Sequence, residues 1–216
     1  MKVLVFDTET TGLPKSRTKS GKWWIDYPNI IQLSWVLYDT VINKMVSFGD
    51  DIIQLGNGKT IPEDSIRIHK ITNENMRENG INIKEGLINF NIAIECCDSI
   101  IAHNLEFDKN MIISEMLRND IIPVFDIYKK PEYCTMQNNI DFCKIERKSK
   151  YGKTYFKYPK LEELHSILFQ GQSPKDLHNA LNDVIICLRC YLYQNENIDI
   201  VERSEGVIKK MLDNIL

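Results

Sequence analysis

Apolar and polar side chains alternate along the first part of the chain with the period of two that is typical of β-strands. Residues 2–8 are predicted to form one strand, residues 29–39 a second, and residues 42–55 a third that pairs with the second as a hairpin. The tripeptide Gly56-Asn57-Gly58 then predicts a turn. This part of the chain therefore indicates an antiparallel meander.

After residue 60, apolar positions recur mainly every three or four residues, which predicts helices. Helices are expected over residues 62–69, 83–97, 105–118, 135–145, 161–169, 180–193 and 200–216, with Thr72 as the N-cap of one more. Two short apolar runs, 98–103 and 121–127, are predicted to be strands. The expected fold is α/β, with a mixed five-stranded sheet (an antiparallel meander plus parallel strands) flanked by helices.

Composition narrows the class of protein. With 216 residues, 43% of them hydrophobic, the chain is expected to form a single domain over residues 1–216. No stretch approaches the length of a membrane span, and the short apolar N-terminus runs directly into acidic residues, unlike a signal peptide. We therefore expect a soluble intracellular protein with free thiols. Cys187 and Cys190 have metal-knuckle spacing, but their apolar surroundings favour core thiols over zinc ligands.

Charge is unevenly distributed around a net value of −3. Residues 15–22 contain four basic residues and no acid, and residues 144–160 contain seven basic residues and one acid. The candidate strand-binding residues are Lys15, Arg17, Lys19, Lys22, Trp23 and Trp24 in the first segment and Lys148, Lys150, Lys153, Tyr151, Tyr155, Phe156 and Tyr158 in the second. Basic side chains can neutralise phosphates and aromatic faces can stack on bases. Alternatively, the Trp pair packs on the core and the lysines are solvated.

Acidic residues follow two of the predicted strands. Asp7 and Glu9 are two residues apart at the end of the first strand, so both project from the same side. Their like charges repel unless a cation lies between them, and carboxylate oxygens suit Mg²⁺ or Mn²⁺. Asp108 lies in the first turn of a helix that follows strand 98–103, with Asn104 as the expected N-cap. Asp108 could therefore reach the same edge of the sheet.

A third candidate pair is His178 and Asp183. Five residues is the wrong spacing for one helical face, so the two side chains converge only if His178 precedes the helix that contains Asp183. Each feature alone also has a structural explanation: an acidic strand end, an acid that complements a helix dipole, or a structural histidine. We expect that last explanation for His69, His103 and His165.

Taken in order, these motifs resemble those of the DEDDh (DnaQ-like) 3′→5′ exonuclease superfamily, which has a ribonuclease H-like fold. Its members include the proofreading epsilon subunit of DNA polymerase III, TREX-type exonucleases, RNase T and oligoribonuclease. The family motifs D-x-E-T-T-G, H-N-x-x-F-D and H-x-A-x-x-D match Asp7–Gly12, His103–Asp108 and His178–Asp183. The segment His69-Lys70-Ile71-Thr72 resembles the family's H-G-I-T, with Lys70 in place of glycine.

The resemblance implies roles for individual residues. Asp7, Glu9, Asp108 and Asp183 would hold two Mg²⁺ or Mn²⁺ ions, and His178 would be the general base that activates water. Residues implied to seat the terminal nucleotide or to support the site are Thr10, Thr11, Gly12, Leu13, His103, Asn104 and Phe107. The implied substrate is DNA with a free 3′ end, in proofreading or repair, with release of nucleoside 5′-monophosphates.

The motifs leave alternatives open. An RNA exonuclease similar to RNase T or oligoribonuclease would share the same acids. A catalytically inactive nucleic-acid-binding or polymerase-associated module is less favoured, because all four acids and His178 are present. The family also contains proteins that associate with a polymerase and proteins that form homodimers.

Overall fold

The computed structural model describes residues 1–14, 22–56 and 58–216. Lys15, Arg17 and Lys19 of the first basic segment lie outside the described residues, as does Asn57 of the predicted turn.

A five-stranded mixed sheet forms the centre of the molecule. Its strands are β1 (Lys2–Thr10), β2 (Ile30–Asp39), β3 (Lys44–Ile52), β4 (Ser99–Ala102) and β5 (Glu132–Cys134), in the spatial order β3-β2-β1-β4-β5. Strands β1, β2 and β3 pair antiparallel, whereas β4 pairs parallel to β1 and β5 parallel to β4. The predicted meander extended by parallel strands is therefore confirmed.

Helices connect and cover the strands. They are α1 (Glu63–His69), α2 (Asn73–Asn79), α3 (Ile83–Cys96), α4 (Leu105–Arg118), α5 (Val124–Tyr128), α6 (Ile140–Cys143), α7 (Leu161–Leu168), α8 (Ala180–Glu196), α9 (Ile200–Arg203) and α10 (Gly206–Ile215). Two 3-10 turns cover Trp23–Ile25 and Gln137–Asn139. Thr72 caps α2 as predicted, because its side chain accepts a hydrogen bond of 3.0 Å from the amide of Asn75.

Both faces of the sheet are covered by helices. The face that includes Val3 and Val5 packs against α7, α8 and α10. The opposite face, which includes Leu4 and Phe6, packs against α3, α4 and α5. As a result β2 is buried along nearly its whole length. Helices α4 and α8, one from each layer, both contact β1, whose last residues include Asp7 and Glu9.

The prediction of a strand at residues 121–127 was wrong. Pro123, with φ −61°, precedes helix α5, and the buried side chains of Val124 and Phe125 face the core from one side of that helix. A short apolar run fits a buried strand or a buried helix equally well, and proline is tolerated where a helix begins. The fifth strand is instead Glu132–Cys134.

Three further boundaries differ from the predictions. Residues 135–145 form only a 3-10 turn and the four-residue helix α6. The basic segment after them is a hairpin of β6 (Glu146–Lys148) and β7 (Thr154–Phe156), not a loop. The expected helix 200–216 is divided between α9 and α10, because Ser204 and Glu205 are extended.

Lys70 adopts a left-handed conformation, φ 64°, where the resembled family has glycine, at a cost of roughly 1 kcal/mol.

Two predictions from composition can be compared with the structure. All six cysteines are free thiols, and Cys187 and Cys190 are buried within α8, as expected for core residues. Among the described residues, no helix combines the length and the apolar character needed to cross a membrane.

Candidate active site

Strand β1 delivers Asp7 and Glu9 to the face of the sheet that α8 covers. Both residues continue the row of Val3 and Val5, because alternate residues of a strand share one side. A shift of register between Glu9 and Thr10 then interrupts the pairing with β2. The two carboxylates therefore lie where the strand leaves the hydrophobic core and reaches the open end of the sheet.

Asp108 approaches from the helical layer on the opposite face. Its Oδ1 accepts hydrogen bonds from the backbone amide of Thr8, at 3.0 Å, and from the hydroxyl of Thr8, at 2.7 Å. The side chain is only 2% exposed. Asn104 occupies the N-cap position of α4, but its φ is 79° and its side chain caps no amide, so the predicted capping bond is absent. Thr8 thus fixes one oxygen of Asp108 and leaves the other directed elsewhere.

His178 lies before α8 and Asp183 lies in its first turn, as the motif required. His178 has a positive φ of 67°, and its amide donates to Oδ2 of Asp183 at 3.2 Å. The side chain of Asn179 caps the helix by accepting a bond from the amide of Asn182. A tight turn thereby brings together two side chains that a continuous helix would separate.

The first amide of α8 is held by a buried glutamine. Oε1 of Gln32 accepts from the amide of Ala180 at 3.1 Å, and Nε2 of Gln32 donates to Asp50 at 2.8 Å. Gln32 is 2% exposed and is the cross-strand neighbour of Glu9. This chain of bonds ties the start of the helix that contains Asp183 to the strand next to Glu9.

The four carboxylates share one electrostatic environment. Burial, together with the charges of Asp108, Asp183 and Glu9, raises the pKa of Asp7 well above its usual value. Burial and the charges of Asp183 and Asp108 raise the pKa of Glu9 to about 8. Burial also raises the pKa of Asp108 to about 7, despite its bonds from Thr8, and that of Asp183 to about 7, despite the amide of His178. Without a counter-charge, the site therefore disfavours its own ionised form.

The donor set fits a divalent cation. Ligand atoms of Glu9, His178 and Asp183 all lie within 4.8 Å of one another. Oδ1 of Asp183 is buried and has no hydrogen-bond partner among the described residues. A buried carboxylate oxygen without a donor is costly unless a cation completes it. Carboxylate oxygens are the ligands that Mg²⁺ and Mn²⁺ prefer.

An open cleft of about 640 Å³ contains the four acids and His178. Of the residues expected to seat the nucleotide or support the site, Leu13, His103, Asn104 and Phe107 also line this cleft. Leu13 is 81% exposed and so presents an apolar surface to a ligand. The predicted residues Thr10, Thr11 and Gly12 do not line it.

Internal contacts occupy those last three residues. The hydroxyl of Thr10 donates to the carbonyl of Gly12 at 2.7 Å, and the amide of Thr11 donates to the carbonyl of Asn29 at 2.9 Å. Gly12 has a φ of 147°, which glycine adopts more readily than other residues. These residues therefore shape the turn that leads to Leu13.

His103 connects the sheet to the opposite wall of the cleft. Its Nδ1 lies 2.9 Å from the hydroxyl of Thr135, and its Nε2 lies 3.1 Å from the carbonyl of Pro159. Burial lowers the pKa of His103 to about 4, so the ring is neutral near pH 7. A neutral ring that donates from Nε2 to Pro159 and accepts from Thr135 at Nδ1 satisfies both contacts. This supports the expectation that His103 has a structural role, here at the border of the cleft.

The tryptophan pair of the first basic segment lies away from the acids. Trp23 packs edge-on against Tyr27, with ring centroids 4.7 Å apart, and against Trp24. Arg118 of α4 donates to the carbonyls of Trp24, Tyr27 and Pro28. Neither tryptophan nor Lys22 is among the residues that line the cleft. The pair therefore packs beside α4, and both tryptophans are only partly buried there.

Several residues of the site were not singled out from the sequence. Thr8 and Gln32 hold Asp108 and the start of α8, and the far wall of the cleft includes Met136, Tyr158, Pro159, Lys160, Leu161, Glu162, Pro174 and Leu177. A polar residue within a strand that helices cover on both faces is a signal that could have identified Gln32. The sequence contains no comparable signal for the far wall of the cleft, because the position of that wall depends on tertiary contacts such as the hydrogen bond between His103 and the carbonyl of Pro159.

Comparison with known proteins identifies the family of this chain. A profile of the exonuclease family (RNase_T) matches residues 4–191, which is most of the chain. The chain belongs to the exonuclease family. No curated protein sequence matches this chain.

Solved structures support the same fold. E. coli exonuclease I in complex with a dT13 oligonucleotide is 14% identical and superposes with a TM-score of 0.66, over 91% of this chain and 42% of that chain. Exonuclease I from Methylocaldum szegediense is 16% identical, with a TM-score of 0.64 over 93% and 42% of the two chains. A zinc-bound E. coli exonuclease I–ssDNA complex is 16% identical, with a TM-score of 0.65 over 91% and 41%. The chain thus spans about two fifths of the length of these structures.

Proposed function

We propose that this chain is a divalent-metal-dependent 3′→5′ exonuclease that hydrolyses phosphodiester bonds at the 3′ end of DNA and releases nucleoside 5′-monophosphates. The observation that carries the proposal is the convergence of Asp7, Glu9, Asp108 and Asp183, from three separate stretches of chain, in one open cleft with His178. A nuclease needs concentrated negative ligands for cations beside a proton acceptor, and this cleft contains both.

The carboxylates of Asp7, Glu9, Asp108 and Asp183 would hold the cations, two by resemblance to the DEDDh family. Bound divalent cations supply charge stabilisation for the attacking and leaving oxygens of a phosphodiester. Thr8 holds Oδ1 of Asp108, so Oδ2 is the oxygen left for a ligand. Oδ1 of Asp183, which lacks a donor, is available in the same way.

His178 is the proposed general base. Its ring is exposed in the cleft and lies within 4.8 Å of ligand atoms of Glu9 and Asp183. A ring nitrogen accepts the proton of the attacking water, and the nearby carboxylates stabilise the resulting imidazolium. The backbone bond from His178 to Asp183 fixes the turn, so that the ring stays near the acids.

DNA is the preferred substrate in this proposal. E. coli exonuclease I, which shares the fold, has been solved with single-stranded DNA and with oligonucleotides of dT and dA. The exposed side chain of Leu13 provides an apolar surface on which the terminal nucleotide would rest. The alternative substrate is RNA with a free 3′ end. The acids do not discriminate ribose from deoxyribose, so the experiment must distinguish DNA from RNA.

The test uses matched DNA and RNA oligonucleotides, single- and double-stranded, labelled at either end and incubated with Mg²⁺ or Mn²⁺. A 5′ label should give a descending ladder, and a 3′ label should give mononucleotide at once. DNA should be degraded faster than RNA. Faster digestion of RNA would overturn the choice of substrate, and release of mononucleotide from the 5′ end would overturn the direction.

Two controls separate activity from binding. A chelator should stop digestion, and Asp7→Asn should be inactive while keeping the fold by circular dichroism. If the wild-type chain bound oligonucleotides but digested neither DNA nor RNA with any of these metals, the inactive binding module would replace the proposed enzyme.

A further inference from the structure

The β6–β7 hairpin is exposed along both of its strands. Every residue of Glu146–Lys148 and of Thr154–Phe156 is exposed, and Arg147 pairs with Tyr155 across the ladder. An exposed two-stranded hairpin without a packed face is marginally stable unless its base is anchored. This hairpin therefore has an exterior surface whose side chains are free to meet a ligand.

That surface is strongly basic. Arg147, Lys148, Lys150 and Lys153 are all exposed, and Glu146 is the single acid of the segment. In the described part of the chain none of these four cations forms an ion pair, and Lys150 lies over the ring of Tyr151, 5.0 Å from its centroid. Unpaired cations at this density favour a polyanionic ligand.

Aromatic rings are interleaved with the charges. Tyr151 is 84% exposed at the tip of the hairpin, and Tyr155, Phe156 and Tyr158 are also exposed. Several exposed aromatic side chains close together in one segment form the kind of apolar surface that marks a binding site. Alternating rings and cations are the chemistry that holds single-stranded nucleic acid, because bases stack on the rings while phosphates meet the cations.

The hairpin leads directly into the cleft. The amide of Lys157 donates to the carbonyl of Ile145 at 2.9 Å, which extends the ladder by one bond beyond β7. The next residues, Tyr158, Pro159 and Lys160, line the cleft, and His103 holds the carbonyl of Pro159. The side chain of Lys157 is paired with Glu163 of α7, and that acid also accepts from the amide of Lys160. The base of the hairpin is therefore fixed to the wall of the active-site cleft.

We propose that the β6–β7 hairpin binds the single strand upstream of the scissile end, with its cations on successive phosphates and its rings on the bases. The proposal rests on the proposed nuclease function, since it names where the rest of that substrate lies. From Tyr158 to the tip at Tyr151 an extended strand spans roughly 20–25 Å. That length accommodates a few nucleotides, so affinity should depend on the length of the strand.

The first test measures binding without hydrolysis. A fluorescent single-stranded 12-mer is titrated in chelator with the wild-type chain, with K148E/K150E/K153E, and with the matched charge change K44E/K209E/K210E, whose exposed lysines do not line the cleft. The hairpin variant should weaken affinity by about tenfold or more at 0.1 M salt, and its log–log salt slope should be smaller by about 2. The matched variant should change both much less.

Aromatic variants separate stacking from charge. Tyr155→Ala and Phe156→Ala should weaken binding severalfold with an unchanged salt slope, because no phosphate contact is lost. If the hairpin lysine variant bound the 12-mer with the affinity and the salt slope of the wild type, the proposal would be wrong. A loss of equal size in both variants would also contradict it, by indicating only a general charge effect.

The second test uses hydrolysis and distinguishes this proposal from the proposed function. The ratio of kcat/KM for a 12-mer to that for a dinucleotide should fall about tenfold in the hairpin variant and stay constant in the control. An unchanged ratio in an active enzyme rejects the hairpin site alone. A wild-type chain that digests nothing rejects the nuclease function, while the binding measurements still decide whether the hairpin holds the strand.

Discussion

Helix α8 contains a buried arginine and a half-buried aspartate whose charges have opposite surroundings. Arg189 is 3% exposed, and its guanidinium donates to both oxygens of Asp199, at 2.9 and 2.7 Å, and stacks 3.7 Å from the ring centroid of Phe169. Asp183, six residues earlier, lies among three other acids and has one oxygen without a donor. One charge is neutralised by the fold, and the other is left for a ligand.

Titration behaviour reflects this difference. Burial alone would raise the pKa of Asp199, but the hydrogen bonds and charge of Arg189 outweigh it and hold the pKa below its usual value. None of the described lysine and arginine side chains forms an ion pair with an acid of the cleft, so burial and the neighbouring acids raise the pKa of Glu9, and burial raises the pKa of Asp183. The balanced cluster around Arg189 should therefore contribute to stability, whereas the acidic cleft reduces stability until cations bind.

The largest expected effect comes from removing one charge of the cleft. Asp7→Asn should reduce hydrolysis to background, because it removes a carboxylate ligand, yet it should raise the melting temperature in chelator by relieving repulsion among the acids. A nuclease assay and a thermal melt measure both effects on the same sample. A variant that is inactive and also less stable would mean that Asp7 supports the fold rather than the proposed metal site.

His178→Ala should lower the rate by about 10²–10⁴, the usual scale for losing a general base. Because the ring is exposed, the melting temperature in chelator should change little. The rates of both proteins are measured from pH 5.5 to 9, and the two pH–rate profiles should differ in shape, because the variant lacks the general base. Identical pH–rate profiles for the two proteins would remove His178 from the mechanism.

Breaking the ion pair between Arg189 and Asp199 should lower stability and preserve activity, the reverse of the effect expected at Asp7. Arg189→Met leaves Asp199 partly buried without its partner and should cost about 3–5 kcal/mol in the free energy of unfolding. Activity per folded molecule should be preserved, because no atom of this cluster lines the cleft. The double variant Arg189→Met/Asp199→Leu should regain part of the stability in urea titrations. A loss of activity in the folded single variant would contradict the separation of the two regions.

The acidic cleft and the cluster around Arg189 should also differ in how their contributions to stability depend on pH. Glu9 has a raised pKa of about 8 in the folded chain, so its protonated form is favoured there. Its penalty is absent below the unfolded value near 4.5, grows as pH rises, and is complete above about 8. In chelator, Glu9→Gln should therefore gain stability relative to wild type as pH rises from 5 to 8.

The histidine beside Arg189 should titrate with the opposite sign. Burial lowers the pKa of His165 to about 4, and its Nε2 lies 2.8 Å from Nη1 of Arg189, so the neutral ring accepts this bond. Its contribution is present above the unfolded value near 6.5 and is lost as pH falls toward 4. His165→Gln should reduce this acid-side loss in denaturant titrations. If the variant lost as much stability as the wild type when the pH falls toward 4, groups other than His165 would cause that loss.

The smallest effect is expected from the glutamine that joins β2 to α8. Gln32→Leu leaves the buried amide of Ala180 without an acceptor and should cost about 1–3 kcal/mol. Activity should fall severalfold through displacement of Asp183, with excess Mn²⁺ restoring part of it. Thr8→Ser, which keeps the hydroxyl that bonds Asp108, serves as a conservative control. If Gln32→Leu were fully active, α8 would be positioned by its hydrophobic packing alone.

The sequence predicted the parts of the fold that depend on local pattern. The meander, helix α4 and the turn between His178 and Asp183 follow from alternation, helical periodicity and an unfavourable helical spacing. The fifth strand was misplaced because the run around Pro123 satisfies either element, and β5 is only three residues long. The hairpin at 146–156 has no apolar face, so binary patterning contains no signal for it.

Within the candidate site, the convergence of the four acids and His178 was predictable, because their motifs lie where the predicted strands end and the predicted helices begin. The groups that hold these side chains in place were less predictable from the sequence. Thr8, Gln32 and the carbonyl of Pro159 act through hydrogen bonds across 100, 148 and 56 positions of sequence, which no local pattern specifies. Conversely, Thr10 and Thr11 match the family motif, yet in this structure Thr10 bonds to Gly12 and Thr11 bonds to Asn29.

The most direct test of the central claim is a Mn²⁺ titration of chelator-treated protein by calorimetry, with wild type, Asp7→Asn and Asp183→Asn compared at pH 7.5. The account predicts saturable binding to the wild type, an accompanying rise in melting temperature, and marked weakening in both variants. Equal Mn²⁺ binding by all three proteins would contradict the account, because the cation would then be held somewhere other than among these carboxylates.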